Sequence, residues 1–345
     1  MNILIFSQLG STFGLACKLQ VEGHSVNMHI ENQECKMVGK GIIEPYKGGV
    51  KWDLIIADDA GFGGLCDKFK KAGVAVLGSS KATDAWDTDM ATNKKSLSAC
   101  GLNIPVGHVL EKGVDMKFSA FFNGVNFLRP FSVSYTDYRL LENSRGPLTD
   151  GMTTTTIFKS KSKIFADTML KLKSVLAAMN YRGCVQLPCR VTQKDVIVFP
   201  VQFGFNRNVI NTMLPFMPQV GITLKKVADG EKELTTDDIK TECWAVGITT
   251  VELSWPKVYS KFGSLVTVPE GVVLGDVLKD SDGYKQAVEN AYLFTSVGTS
   301  GYLNVAIDRA YKILKEIGLT ELYWRNDAGR TTIEKLSILK KWGRI

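Results

Sequence analysis

The sequence predicts an α/β chain with a doubly wound amino-terminal domain, an antiparallel middle and a small α+β segment that closes the chain. Three observations carry that reading. Over roughly the first 80 residues, short β-forming runs alternate with glycine turns and helix-spaced apolar segments, the signature of a parallel sheet. After residue 104 the pattern changes to paired aromatic-rich runs joined at Asn123-Gly124, a strong hairpin signal. From residue 243 onward, strand-like runs end in a long amphipathic segment, "YLNVAIDRAYKILKEIG".

Taken in order, "MNILIF" reads as a strand, "SQLGSTFG" as a glycine turn, "LACKLQVEGH" as a helix and "SVNMHI" as a second strand. "DLIIADDAG" is a strand that ends in acids and glycine, "FGGLCDKFKKAG" a helix with its glycine stop, and "VAVLGSS" a further strand. Short helices capped at Ser80 and at Asp87 or Thr88 follow, and Pro105 starts an extended segment. The expected domains are 1–104, 105–242 and 243–345. In the second, "KFSAFFNGVNFLRPFSVSYTDYRLL" is the hairpin, "SRGPLTDGM" a loop by composition, and "SKIFADTMLKLKSVLAAMNYRG" one amphipathic helix. "CVQLPCRVT" and "DVIVFPVQFG" then pair across a turn at Gln193 to Asp195. In the third domain "WAVGITTVEL", "SLVTVPEG" and "AYLFTSVGTSG" are strands, and the amphipathic segment is the terminal helix.

With 345 residues, 45% hydrophobic and 22% charged, the chain is an ordinary globular one too long for a single small core. Its apolar runs fall short of the ~20 residues of a membrane helix, and "MNILIFSQLG" lacks a basic lead and a cleavage site, so the expected location is cytoplasmic with no membrane partner. Seven scattered cysteines fit reduced thiols, and three separated histidines, His24, His29 and His108, argue against a metal centre. A net charge of +7 favours anionic partners.

Several strings in this order resemble the phosphoribosylamine–glycine ligases of the ATP-grasp superfamily. "DLIIADDAG…FKKAGVAVLGSS…GLNIP" is similar to that family's strand, substrate loop and lead into the ATP-grasp core; "RGPLTDGM" resembles its "TGPNTGGMG" loop; and "YRGCVQLPCRVTQKDVIVFPVQFG" resembles "YTGFLYAGLMIDKQGNPKVIEFNCRFG". The ending "AYLFTSVGTSGYLNVAIDRAYKILKEIG" is similar to its closing strand and helix. The resemblance covers most of the chain and implies a shortened ATP-grasp-like core between the Rossmann-like domain and the closing α+β domain.

It also exposes consistent departures. Where the family inserts a lid subdomain over ATP, about a dozen residues, "VGHVLEKGVDMK", stand here. The family's phosphate lysine falls near Met90, with Lys94 or Lys95 two residues out of place. Its magnesium-holding Glu-Phe-Asn becomes Val198-Phe199-Pro200, and Asp195 lies in the preceding turn as a turn former or a displaced ligand. No cofactor is expected, and Mg-ATP is disfavoured.

The expected ligand cleft lies where loops at the carboxyl ends of the parallel strands converge. Gly10, Ser11, Thr12 and Gly14 form either an anion-binding helix start or an ordinary tight turn. Asp58 and Asp59 are substrate-loop acids or cap residues. Arg139, Arg145, Gly146, Thr149 and Gly151 fall, by the resemblance, where the family holds its phosphoribosyl substrate; solvated arginines on a hairpin are the plain alternative. Lys340, Lys341, Trp342 and Arg344, with "KSKSK" at 159–163, form a candidate nucleic-acid surface, or a frayed basic tail.

These residues imply a protein that binds a phosphorylated small molecule or nucleotide and acts without ATP, as a transferase on an activated substrate or as a binding protein. DNA is a candidate substrate, in a virus-encoded modification of nucleotides or DNA. The alternatives are a genuine ATP-dependent carbon–nitrogen ligase of purine biosynthesis and a non-catalytic nucleic-acid-binding or interaction protein. The sequence identifies no catalytic base or nucleophile.

Overall fold

A computed structural model describes residues 1–105, 111–252, 267–318 and 321–345. The amino-terminal sheet contains β1 (Asn2–Ser7), β2 (Ser25–Ile30), β3 (Glu44–Pro45), β4 (Leu54–Ala57) and β5 (Ala75–Leu77), all parallel in the order β3-β2-β1-β4-β5. The helices α1 (Phe13–Val21) and α2 (Gly63–Lys71) connect the strands. The two-residue strand period explains why both faces are covered. Ile3, Ile5, Leu54 and Ile56 point into one core with Leu15 and Leu19 of α1, while Leu4, Phe6, Ile55 and Ala57 point into another with Cys66 of α2. The doubly wound reading of this region therefore holds.

Ser80 caps α3 (Lys81–Thr88) in a reciprocal capping box with Thr83, and Asp89, not Asp87 or Thr88, caps α4 (Met90–Ala99). The chain then enters a ten-stranded sheet. Its first strands are β6 (Val114–Asn123), β7 (Phe131–Leu141) and β8 (Arg145–Lys159). The Asn123-Gly124 signal marks a turn in which the Asn123 side chain accepts the Val125 and Asn126 N–H groups at 3.0 and 2.7 Å; the hairpin loop runs on to residue 130. The "SRGPLTDGM" segment is not a loop. Arg145 pairs with Leu141, and the turn is the short 142–144, with Asn143 and Ser144 at φ 55° and 57°. Its polar composition reflects an exposed hairpin tip.

The expected single helix at 162–183 is broken into α5 (Lys163–Asp167), a 3-10 turn and α6 (Lys173–Ala178). Thr168, at φ −123° and ψ −75°, turns its hydroxyl back onto the Ile164 carbonyl at 2.6 Å and interrupts the helix. β9 (Arg182–Val191), β10 (Val196–Val198) and β11 (Gln202–Phe203) follow, then α7 (Arg207–Met213) and α8 (Val220–Asp229). The later strands are β12 (Trp244–Glu252), β13 (Val272–Leu274), the hairpin β14 (Val277–Asp280) and β15 (Gly283–Gln286), and β16 (Phe294–Ser300). The chain ends with α9 (Leu303–Ile317), β17 (Leu322–Tyr323) and α10 (Arg330–Lys341), so the amphipathic segment is not terminal. Of the expected strand "SLVTVPEG", residues 264–266 lie outside the described residues and 267–271 form no strand.

The main path of the second sheet is β10-β9-β6-β7-β8-β12-β16-β13. It crosses residue 242 without interruption, because β12 pairs with β8 on one side and β16 on the other. Strand alternation again assigns faces. Met116, Phe118 and Phe122 of β6 join an outer core with Phe131 and Phe165, whose rings stack at 3.9 Å, while Lys117 and Ser119 face the opposite way. The described cysteines are all unpaired, and no helix among the described residues is long and apolar enough to cross a membrane.

Candidate functional site

The carboxyl ends of the parallel strands abut the second sheet. The Asp58 carbonyl accepts the Phe205 N–H at 2.9 Å, and the Gly78 N–H donates to the Arg182 carbonyl at 2.7 Å. Gly204 makes the closest approach: it sits at φ +99°, and a Cβ there would lie 2.1 Å from the Asp58 carbonyl oxygen. Gly204→Ala is therefore expected to destabilise the protein by about 3 kcal/mol in chemical denaturation, from backbone strain together with the clash.

The first loop spends its donors internally. Gly10, at φ +80°, donates its N–H to Ser7 Oγ at 2.8 Å and accepts the Phe13 N–H, closing a tight turn. A side chain at Gly14 would collide with Val273 at 2.3 Å, so this glycine serves packing between α1 and β13. The Thr12 hydroxyl donates to Asp58 Oδ2 at 2.6 Å; Ser11 is half-buried beside it. The tight-turn alternative thus describes Gly10, Thr12 and Gly14, whose groups hold the chain rather than face the crevice.

Asp58 is the buried centre of this junction, 4% exposed, with Oδ1 enclosed and without a hydrogen-bond partner. Burial pushes its carboxyl up to about 7, against the pull of the Thr12 and Ser7 hydroxyls. Asp59 is raised by burial and by the charges of Asp150 and Asp84. Asp87, whose Oδ2 accepts the Phe203 N–H at 3.3 Å, is pushed up to about 7 chiefly by burial, with Asp59 and Asp84 adding to it. Burial thus raises both Asp58 and Asp87 to about 7.

The second sheet carries a buried cation, Lys117 of β6, 6% exposed, which sequence reasoning did not single out. Its Nζ donates to the neutral Gln202 Oε1 at 3.0 Å, and among the described residues no carboxylate lies within ion-pair distance of it. Burial lowers its pKa to about 8, although the Asp150 charge opposes the shift. With Ser134, Thr136, Tyr138 and Phe199 it lines a cavity of about 160 Å³. The only local signal was a lone lysine on the polar face of the otherwise apolar "VDMKFSAFF".

Asp150 links this cavity to a second cluster. Its N–H donates to the Tyr292 hydroxyl at 2.9 Å, and Asn208 Nδ2 donates to its carbonyl at 2.6 Å. Behind Tyr292, Arg207 pairs with Asp276 at 2.6 Å, both side chains buried, and lies 5.3 Å from the Tyr292 ring centre. Gly151 is close-packed, since a Cβ there would meet Asn208 Nδ2 at 2.6 Å.

The rest of the expected substrate loop lies at the hairpin tip. Arg139 is exposed and donates to the Gly146 carbonyl at 2.9 Å; Arg145 and Gly146 are exposed, and the Thr149 hydroxyl donates to the Tyr138 carbonyl at 2.8 Å. At the other end of the chain, α10 docks on the outer core through Leu339 and Leu336, and half-buried Trp342 packs with them. Lys340 and Lys341 are exposed, and Arg344 Nε donates to the Thr192 carbonyl at 3.1 Å. This segment is neither a frayed tail nor a free stacking platform.

Val198 is fully buried and paired with Cys189, and Pro200 is half-buried; neither side chain offers a metal ligand. Asp195 is committed to its turn, accepting Asn103 Nδ2 at 2.8 Å. Among the described residues no group of three or more acidic, histidine or cysteine side chains is arranged to hold a metal. Five residues of the interval between Pro105 and Val114 lie outside the described residues.

Comparison of the sequence with protein-family profiles finds no match, and comparison with curated proteins finds none. Solved structures do match. A phosphoribosylamine–glycine ligase from Thermotoga maritima superimposes with a TM-score of 0.70 at 15% identity, over 95% of this chain and 100% of that one. The biotin carboxylase domain of a single-chain bacterial carboxylase gives 0.63 at 8% identity, over 99% and 100%. A biotin carboxylase from Campylobacter jejuni gives 0.60 at 8%, over 94% and 92%. This chain therefore shares the fold of the phosphoribosylamine–glycine ligase and biotin carboxylase structures, with a widely diverged sequence.

Proposed function

We propose that the crevice binds a phosphorylated small molecule or nucleotide and acts on it as a transferase using an already activated substrate, without ATP. The observation that carries this reading is buried Lys117, which lines one cavity with Phe199 of the Val198-Phe199-Pro200 segment. A ligase that makes an acyl phosphate needs oxygen ligands for magnesium between the phosphates. Here those positions are occupied by apolar side chains. A buried ammonium that donates to a neutral amide, as Lys117 does to Gln202, favours an anionic ligand group through charge-assisted hydrogen bonds.

The test is a thermal-shift titration with Mg-ATP and, separately, with glycinamide ribonucleotide. A ligand that binds only the native state stabilises it by about 2.7 kcal/mol at one hundred times its Kd. The expected outcome is stabilisation by the ribonucleotide and none by Mg-ATP. A rise in melting temperature with Mg-ATP overturns the reading and returns the protein to the ATP-dependent ligases.

A further inference from the structure

The two basic stretches, nearly two hundred residues apart in sequence, meet on the face of the antiparallel sheet opposite the crevice. Lys159 at the end of β8, Lys161 and Lys163 at the start of α5, and Arg344 after α10 all line one cavity of about 210 Å³, with Phe118 and Tyr135 among its apolar floor. Arg129 extends the patch, donating to the Ser160 carbonyl between two of the lysines. Lys340 and Lys341 lie in the last turn of α10, just before Arg344 in the chain.

Little within the chain neutralises this charge. Lys163 pairs with Asp167 at 2.9 Å, an exposed i,i+4 contact that solvent screens. Among the described residues no carboxylate lies within ion-pair distance of Lys159, Lys161 or Arg344. The Arg344 guanidinium is engaged through Nε, while its Nη2 is buried without a hydrogen-bond partner.

We infer that this face binds the phosphodiester backbone of duplex nucleic acid, without reading its bases. Trp342 packs on the outer core, and the patch offers no free aromatic or amide side chain suited to base readout. The surface is therefore electrostatic, and it is separated from the crevice by the thickness of the sheet. It stands or falls independently of what the crevice binds.

The test is fluorescence anisotropy of labelled DNA duplexes of unrelated sequence, from about 50 to 200 mM salt. The expected result is equal affinity for the different sequences and a log–log salt slope of about −3 to −4, as for some four neutralised phosphates. The double variant K161E/K163E alters two exposed side chains and is expected to keep the melting temperature, weaken binding more than tenfold and flatten the slope. Lys315→Glu, on the exposed side of α9, should leave binding unchanged. Absence of wild-type binding, or full affinity in K161E/K163E, overturns the inference. So does displacement by millimolar inorganic phosphate at constant ionic strength, which would mark a site for free phosphate, or equal competition by polyglutamate, which would mark a site for acidic polypeptides.

Discussion

Asp58→Asn is expected to stabilise the protein by about 4 kcal/mol at pH 8 and by almost nothing below pH 4. The carboxyl is buried and raised from 3.8 to about 7, with burial the largest cause. Each pKa unit corresponds to 1.36 kcal/mol. Between those two values the folded state holds a proton that the unfolded chain has released, so stability falls as pH rises through the window, and the full penalty is present above pH 7. Asparagine removes the charge but keeps an oxygen for the Thr12 hydroxyl. Denaturant titrations at pH 4, 6 and 8 check the claim. A difference between variant and wild type that does not grow with pH would show that Asp58 is not carrying a buried charge.

Lys117→Met has the second large effect, with the opposite pH dependence. Depression from 10.5 to about 8 amounts to roughly 3 kcal/mol of unfavourable charge burial at pH 7, and loss of the Gln202 hydrogen bond takes back about 1 kcal/mol. The variant should therefore be more stable than wild type by about 2 kcal/mol at neutral pH. Between pH 8 and 10.5 the unfolded chain binds the proton that the folded lysine has lost, so wild type gains relative to the variant and the advantage shrinks. Measuring the difference between the two proteins cancels the cysteine and tyrosine titrations they share. On the proposed function, the same substitution abolishes stabilisation by a phosphorylated ligand. Gained stability with lost binding is the signature of a charge retained for a ligand, and unchanged ligand stabilisation would remove Lys117 from the binding site.

The amino-terminal sheet was legible because its cause is local. Alternation of Ile3 and Ile5 with Leu4 and Phe6 states directly that both faces are buried, and glycine stops delimit the helices. The crevice was legible only in outline. Asp58 and Asp59 lie at a strand end, where the fold gathers ligands, but the burial that shifts Asp58 comes in part from the Gly204 turn, far along the chain. Lys117 was passed over because its burial and its contact with Gln202 depend on distant strands, and a lone lysine in a strand ordinarily signals solvent. The segment before Gly151 was misread because turn-forming residues also suit an exposed hairpin tip. The basic carboxyl-terminal stretch was misread because its charge masked the Leu336–Leu339 seam that docks α10.

The placement of β12 between β8 and β16 bears on how the chain reaches its native state. Five residue pairs join β12 to β8 and seven join it to β16, so the edge of β8 is covered only by residues beyond 242. As the polypeptide emerges during synthesis, the parallel sheet can assemble from its own neighbours, whereas β8, which ends at Lys159, keeps a bare edge of threonines until β12, which starts at Trp244, has appeared. An open, threonine-rich edge is a template for pairing with another nascent chain. The slow and concentration-sensitive part of folding thus falls on the second sheet, and the late arrival of β12 and β16 sets how long that edge stays exposed.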